Sequence, residues 1–202
     1  MDMGLAASVA PAPTRDRILD IAERLVQTQG FNAFSYADVS AELRITKASL
    51  HYHFATKAEL GKNLIDRYRD RFLVALREID ESGGDARQKL RRYAKLYSDV
   101  LRRNRMCLCG MLAADFGTLS KPMRESVKSF FDANELWLTG VLDEGRKTKR
   151  LRFEGSVEEA ARLLVASLEG AMLVARTYGD VSRLESAADR LIADLSPKRR
   201  PR

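Results

Sequence analysis

Two helix-starting signals only eleven residues apart constrain this chain more than any other feature: Ser35, with Asp38 behind it, and Thr46. Each can accept a hydrogen bond from the opening turn of a helix, and Ser35 with Asp38 has the spacing of a capping box. Caps this close leave room for one short helix, a tight turn and the start of another. Val39 and Leu43 give the first helix a small apolar stripe, and Leu50 and Phe54, four apart, anchor the second. Lys47, Ala48, Ser49, His51 and Tyr52 are then left facing outward. A cation, small residues and hydrogen-bonding groups at the first turn of a short helix suit the DNA major groove. The stretch from Ser35 to Leu60 is therefore a candidate helix-turn-helix.

The rest of the chain reads as helix. Thr14 is expected to cap a helix over about 15–29, with Ile18, Leu19, Ala22, Leu25 and Val26 at helical spacing, and Gly30 stops it. Phe31 and Phe34 are expected to plug the core of the first three helices. Further helices are expected over about 57–80, 85–103, 105–117, 121–147, 157–178 and 181–195, broken by Ser82-Gly83-Gly84, Gly155-Ser156 and Gly179-Asp180. No useful alternating pattern of strand type appears. The fold class is all-α: an N-terminal three-helix helix-turn-helix module followed by a C-terminal helical body. The divisions are a disordered leader over 1–13, the module over 14–56, the body over 57–195 and a basic tail over 196–202.

Charge supports this reading only weakly. The chain carries a net charge of +7, but Lys198, Arg199, Arg200 and Arg202 supply four of those charges, and 14–62 holds seven basic against six acidic residues. DNA binding thus rests on geometry more than on bulk charge. No run has the length of a membrane span, and the Ala-rich start lacks the basic opening of a signal peptide. Two cysteines do not make a disulfide framework, so a cytoplasmic protein is expected.

The residues that carry these signals also carry a family resemblance. Gly30-Phe31, Ser35 through Val39, Thr46-Lys47-Ala48-Ser49-Leu50, Tyr52-His53-Phe54 and Lys57-Ala58-Glu59-Leu60 resemble, in type and spacing, the DNA-binding domain of the TetR family of bacterial repressors. The resemblance implies a homodimer with two DNA-binding modules, a helical ligand-binding body, and repression relieved by a small molecule. It implies no cofactor. Two positions depart from the family pattern. Arg44 stands where Gly is usual in the turn, at a cost of roughly 1 kcal/mol if that residue needs positive φ. His51 stands where Tyr is usual, which makes any contact there more sensitive to pH.

Site roles follow from position. Lys47 can donate to guanine O6 and N7, Ser49 to either base type, and Ala48 can meet a thymine methyl. Tyr52, His53 and Lys57 are expected on phosphates, with Thr46 and the helix N-terminus adding backbone donors and Arg44 and His51 completing the surface. The segment Val157 to Tyr178 is apolar over much of its circumference and must be buried on most sides. One face is expected in the core and another, through Ala160, Leu164, Leu168 and Ala171, against a second subunit, joined by Leu184 and Leu191 of the last helix. Tyr68, Phe72, Tyr93, Tyr97, Met111, Phe130, Phe131, Trp137 and Met172 are candidates to line an effector cavity, and sequence does not sort them from ordinary core.

Cys107 and Cys109 lie in NRMCLCGMLAAD, where Asn104 is expected to cap a helix with Cys107 in its first turn and Arg102, Arg103 and Arg105 nearby. A helix N-terminus and cations lower a thiol pKa. The stretch also resembles one in TetR-family members that sense electrophiles or oxidants. Two readings stay open: Cys107 as sensor, and Cys107 as buried packing.

Other classes find little support. The only histidines, His51 and His53, lie in the reader, and no phosphate loop, nucleophile elbow or metal-ligand cluster is present, which argues against an enzyme. A helical protein-binding adaptor that has lost DNA binding stays open through Arg44 and His51.

Overall fold

The computed structural model describes residues 13–196. The helices are α1 (Thr14–Gln29), α2 (Tyr36–Leu43), α3 (Lys47–His53), α4 (Lys57–Glu81), α5 (Ala86–Arg102), α6 (Leu108–Ala114), α7 (Lys121–Lys147), α8 (Val157–Tyr178) and α9 (Ser182–Asp194), with one 3-10 turn at Phe116–Thr118. No strand occurs among the described residues, and none of their helices is long and apolar enough to cross a membrane. The expected leader and the basic tail beyond Ser196 lie outside the described residues, apart from Pro13.

Local chemistry sets most helix starts. Ser35 and Asp38 form the anticipated capping box, and Thr46 Oγ1 accepts from the Ser49 amide at 3.1 Å. Thr56 Oγ1 accepts from the Glu59 amide at 3.1 Å while the Glu59 carboxylate accepts from the Ala55 amide at 3.0 Å. Asp85 with Gln88 and Ser156 with Glu159 repeat the box at α5 and α8. Each such cap contributes about 1 kcal/mol. Thr14 departs from expectation: Pro13 holds the cap position and Thr14 is the first helical residue. The stretch after α5 departs too. Asn104 takes positive φ (55°) just after α5 instead of capping α6, which begins only at Leu108.

At one end α1, α2 and α3 pack around Ile18, Leu19, Val39, Leu43, Leu50 and Phe54. In the body α7 runs along α8 and α4, while α9 closes on α8 and α5. α4 serves both ends, since Leu60 and Leu64 are buried beside the small module and Leu76 and Ile79 in the body. Gly61 makes the junction possible. A Cβ there would lie 2.5 Å from Met123 Cε and 2.8 Å from the Phe31 ring.

Candidate nucleic-acid interface and its connection to the helical body

Leu50 and Phe54 are fully buried, so they fix which side of α3 faces out. Lys47, Ala48, His51 and Tyr52 are exposed, and Ser49 and His53 are half-buried. Tyr52 is 87% exposed. Thr46 is exposed as the cap, with its hydroxyl engaged at the Ser49 amide. Arg44 does take the left-handed conformation, φ 55° and ψ 43°, and its side chain is exposed. The tight turn is closed by the Ile45 amide donating to the Ser40 carbonyl at 3.1 Å. The structure thus gathers Arg44, Thr46, Lys47, Ala48, Ser49, His51, Tyr52 and His53 at one end of the molecule.

His51 is oriented on both sides. Its Nδ1 lies 3.1 Å from the Ala55 carbonyl, and its ring packs 4.8 Å from that of Tyr36. Tyr36 donates its hydroxyl to the Phe54 carbonyl at 2.9 Å, and burial, with Glu59 nearby, pushes its pKa up to about 12. A cleft of about 420 Å³ lies there, walled by Ser35, Tyr36, Lys47 and His51. Ser35 and Tyr36 were readable as a cap and a helix start, but nothing in their spacing marked them as neighbours of Lys47.

Lys57 corrects an expectation. It was expected on phosphate, but its ammonium turns inward, donating to the Phe31 carbonyl at 2.6 Å and to the Phe34 carbonyl. It also lies 4.7 Å and 4.4 Å from the centroids of those two rings. Burial lowers its pKa, opposed by Asp115 and Asp38. The α1–α2 loop leaves two carbonyls without helical partners, and the lysine satisfies both while covering two aromatic faces.

A second set of contacts ties α1 to the body across long sequence separations. The Met106 amide donates to the Gln27 carbonyl at 3.0 Å, and the Phe31 amide to Asp115 Oδ2 at 3.0 Å. Asn32 Nδ2 donates to Thr118 Oγ1 at 2.9 Å. Arg176, near the end of α8, donates to the Thr28 carbonyl and lies 3.5 Å from Met111 Sδ. Arg67 of α4 pairs with Asp20 at 2.9 Å and with Glu23 at 3.0 Å, and Arg71 also pairs with Glu23. None of these partners was legible from local sequence.

The expected effector residues divide. Tyr68, Phe72, Tyr93, Tyr97, Phe130 and Trp137 form one aromatic cluster with ring centroids 5.2–6.3 Å apart. Phe131 joins at its edge through Phe130. The cluster's polar ends are satisfied internally: Tyr93 donates to Asn134 Oδ1 at 2.9 Å and meets the Tyr97 hydroxyl at 3.1 Å. Trp137 Nε1 donates to Asp80 at 2.9 Å. Tyr93, Tyr97 and Met172 are sealed in the core, whereas Tyr68 and Phe72 border an open cleft of about 400 Å³. Met111 stands apart from the cluster, in the α1–α8 contact beside Arg176.

Cys107 corrects the activation argument. It occupies the cap position of α6 and is buried, as is Cys109, and both thiols are free. Burial first, then the neighbouring Glu169 carboxylate, pushes the Cys107 thiol well above its ordinary value; Cys109 shifts the same way for the same reasons. Glu169 reaches them because Gly110 has no side chain to block it. Its Oε1 is buried without a hydrogen-bond partner, and burial raises its pKa to about 7. Burial and the raised thiols fit the packing reading.

The residues expected at the subunit interface are mostly engaged within their own chain. Ala160, Leu164, Leu168 and Leu184 are buried within their own subunit, and Ala171 and Leu191 are half-buried. The uncovered side of α8 instead shows Leu163 (60% exposed), Leu173 and Val174 (53% each) and Tyr178 (64%), with Ala166 and Gly170 between them. An all-round apolar helix has no polar stripe to tell its inner from its outer side, so periodicity identified the helix and not the face.

The comparisons agree with this geometry. Residues 18–63 match the family described as bacterial regulatory proteins, tetR family, and residues 86–191 match the tetracyclin repressor-like C-terminal domain. Among curated proteins, the HTH-type transcriptional repressor NemR of Escherichia coli (strain K12) is 26% identical over 183 residues, 86% of this chain and 89% of NemR. A TetR-family regulator from Agrobacterium tumefaciens superposes with a TM-score of 0.88 at 30% identity, covering 91% of this chain and 97% of that one. A TetR regulator from Legionella pneumophila gives 0.85 at 31% identity, covering 93% and 100%. With a reading helix displayed at one end and a helical body bonded to its first helix, this chain belongs to the tetR family of bacterial regulatory proteins and is a DNA-binding transcriptional regulator.

Proposed function

We propose that this ligand-responsive DNA-binding repressor works as a homodimer whose two α3 helices enter successive major grooves of a two-fold operator. The observation that carries the reading is the disposition of α3: its anchors Leu50 and Phe54 are wholly buried while Lys47 and Ala48 at its first turn are exposed. Lys47 reads guanine through O6 and N7, Ala48 allows close approach, and Ser49 adds a hydroxyl at a base edge. Tyr52, His53, Arg44 and the amides at the start of α3 lie on phosphates, which position the reader without specifying sequence. His51 donates Nδ1–H to the Ala55 carbonyl, so its Nε2 donates to a phosphate only when the ring carries both protons.

The uncovered side of α8 supplies the dimer contact in this reading, through Leu163, Leu173, Val174 and Tyr178. Exposed large apolar residues on one helix face mark an association surface. Cytoplasmic location follows from the operator as partner. A mobility-shift titration with the DNA upstream of the protein's own coding sequence tests the proposal. Saturable, salt-sensitive retention is expected, with specific affinity lowered in Lys47→Ala. Absence of any sequence preference over random duplex would overturn it in favour of a protein-binding adaptor.

A further inference from the structure

The cleft of about 400 Å³ beside Tyr68 and Phe72 is walled by α1 on one side and by α4 and α5 on the other. Its volume is at the lower end for small-molecule sites and suits one aromatic ring with its substituents. Three of its features point to a ligand. Gln27 of α1 is 3% exposed, lines the cleft, and holds Oε1 buried without a hydrogen-bond partner. A buried acceptor left without a donor is costly, and a donor on a bound molecule would satisfy it. Tyr68, Phe72, Leu96 and Val100 give the cleft an apolar wall.

The charges at its rim are unequal in availability. Glu23 is occupied by Arg67 and Arg71, and Asp99 by Lys95 and Arg102. Arg103 and Arg105 line the same cleft and form no ion pair among the described residues. Two uncommitted guanidiniums, an apolar wall and a buried acceptor define one kind of complement: an anion, a ring and a hydroxyl.

We propose that this cleft is the effector site and takes a hydroxylated aromatic carboxylate, with the ring along Tyr68 and Phe72, the carboxylate on Arg103 and Arg105, and the hydroxyl donating to Gln27. The assignment rests on the reading of the chain as a ligand-responsive repressor. It also gives that reading a mechanism. Gln27 and Glu23 belong to the first helix of the DNA-binding module, whereas the other walls belong to the body. A ligand that bridges them favours one seating of α1 on α4, and any difference in affinity between seatings moves the equilibrium away from the DNA-bound one. Linkage requires the reciprocal effect: operator DNA weakens the ligand by the same factor.

Isothermal titration calorimetry of the full-length protein with 4-hydroxybenzoate, 4-hydroxycinnamate and cinnamate, and with the methyl esters of the two hydroxy acids, tests the site directly. One acid per subunit is expected, with the ester weaker by roughly tenfold or more, the size of a lost charge-assisted hydrogen bond. Arg105→Gln is expected to erase the preference for acid over ester. Gln27→Leu is expected to erase the preference for 4-hydroxycinnamate over cinnamate. No saturation by either acid, or wild-type preferences in both variants, overturns the proposal. Duplex binding is measured separately in the same preparations. Retained duplex binding without acid binding sinks the site alone, whereas acid binding that leaves duplex affinity unchanged sinks its assignment as effector site.

Discussion

The ammonium of Lys57 lies 2.6 Å from the carbonyl oxygen of Phe31, making the first residue of α4 a clasp on the loop between α1 and α2. Lys57→Met therefore removes a donor to two carbonyls, and a loss of about 1–3 kcal/mol is expected in urea unfolding. Lys47→Ala, on an exposed position, is expected to leave unfolding nearly unchanged while weakening the specific duplex by about 1–3 kcal/mol. Equal effects of the two substitutions on unfolding would contradict this division.

Gly61 faces Met123 and Phe31 at distances no Cβ tolerates. Gly61→Ala is expected to cost about 1–3 kcal/mol despite its higher helix propensity, because α4 must be pushed off its neighbours. Adding Met123→Ala should restore part of the loss, measured as the midpoint of thermal unfolding.

Glu169 gives the body a pH dependence of definite sign. Burial raises its folded-state pKa to about 7 from an ordinary 4.5. Its contribution is thus fully present below about pH 4.5 and is lost as the pH rises through 7. At about 1.4 kcal/mol per tenfold change in proton affinity, the upper limit is about 3 kcal/mol. Glu169→Gln is expected to flatten the fall in stability between those two pH values, read from urea midpoints at each pH.

Both cysteines are sealed and their thiols are held protonated by burial and by Glu169. Alkylation by iodoacetamide at neutral pH should proceed only as fast as the body opens, and mass spectrometry should show Cys107 and Cys109 unmodified while the protein is folded. Rapid modification of Cys107 in the native protein would restore the sensor reading.

Leu173 is 53% exposed and Leu168 is 2% exposed on the same helix. Leu173→Glu is expected to give a folded monomer in sedimentation, because it loads a charge onto the proposed association face. Leu168→Glu is expected to unfold the body outright, because it buries one.

What the sequence disclosed was local. Ser35, Asp38 and Thr46 announced their helices because a cap is a relation over three residues, and Leu50 with Phe54 fixed the orientation of α3 by their spacing. What it withheld was remote. The Arg176 to Thr28 contact spans 148 residues and the Phe31 to Asp115 contact 84, and no period or motif encodes such pairs. Lys57 was misassigned because a lysine at a helix start serves a phosphate and a loop carbonyl equally well. For α8 the sequence did not distinguish the buried side from the exposed one, since Leu164 and Leu163 look alike until the subunit's own core has claimed one of them.

α4 runs unbroken for 25 residues from the clasp at Phe31 to the far end of the body. At about 1.5 Å per residue that is a rod of about 37 Å. Pivoted near one tip, a swing of roughly 5° sweeps the opposite tip through about 3 Å, close to the rise of one base-pair step along each DNA strand. In the proposed dimer, a modest repacking against this rod in each subunit would be enough to throw the pair of α3 helices out of step with the double helix.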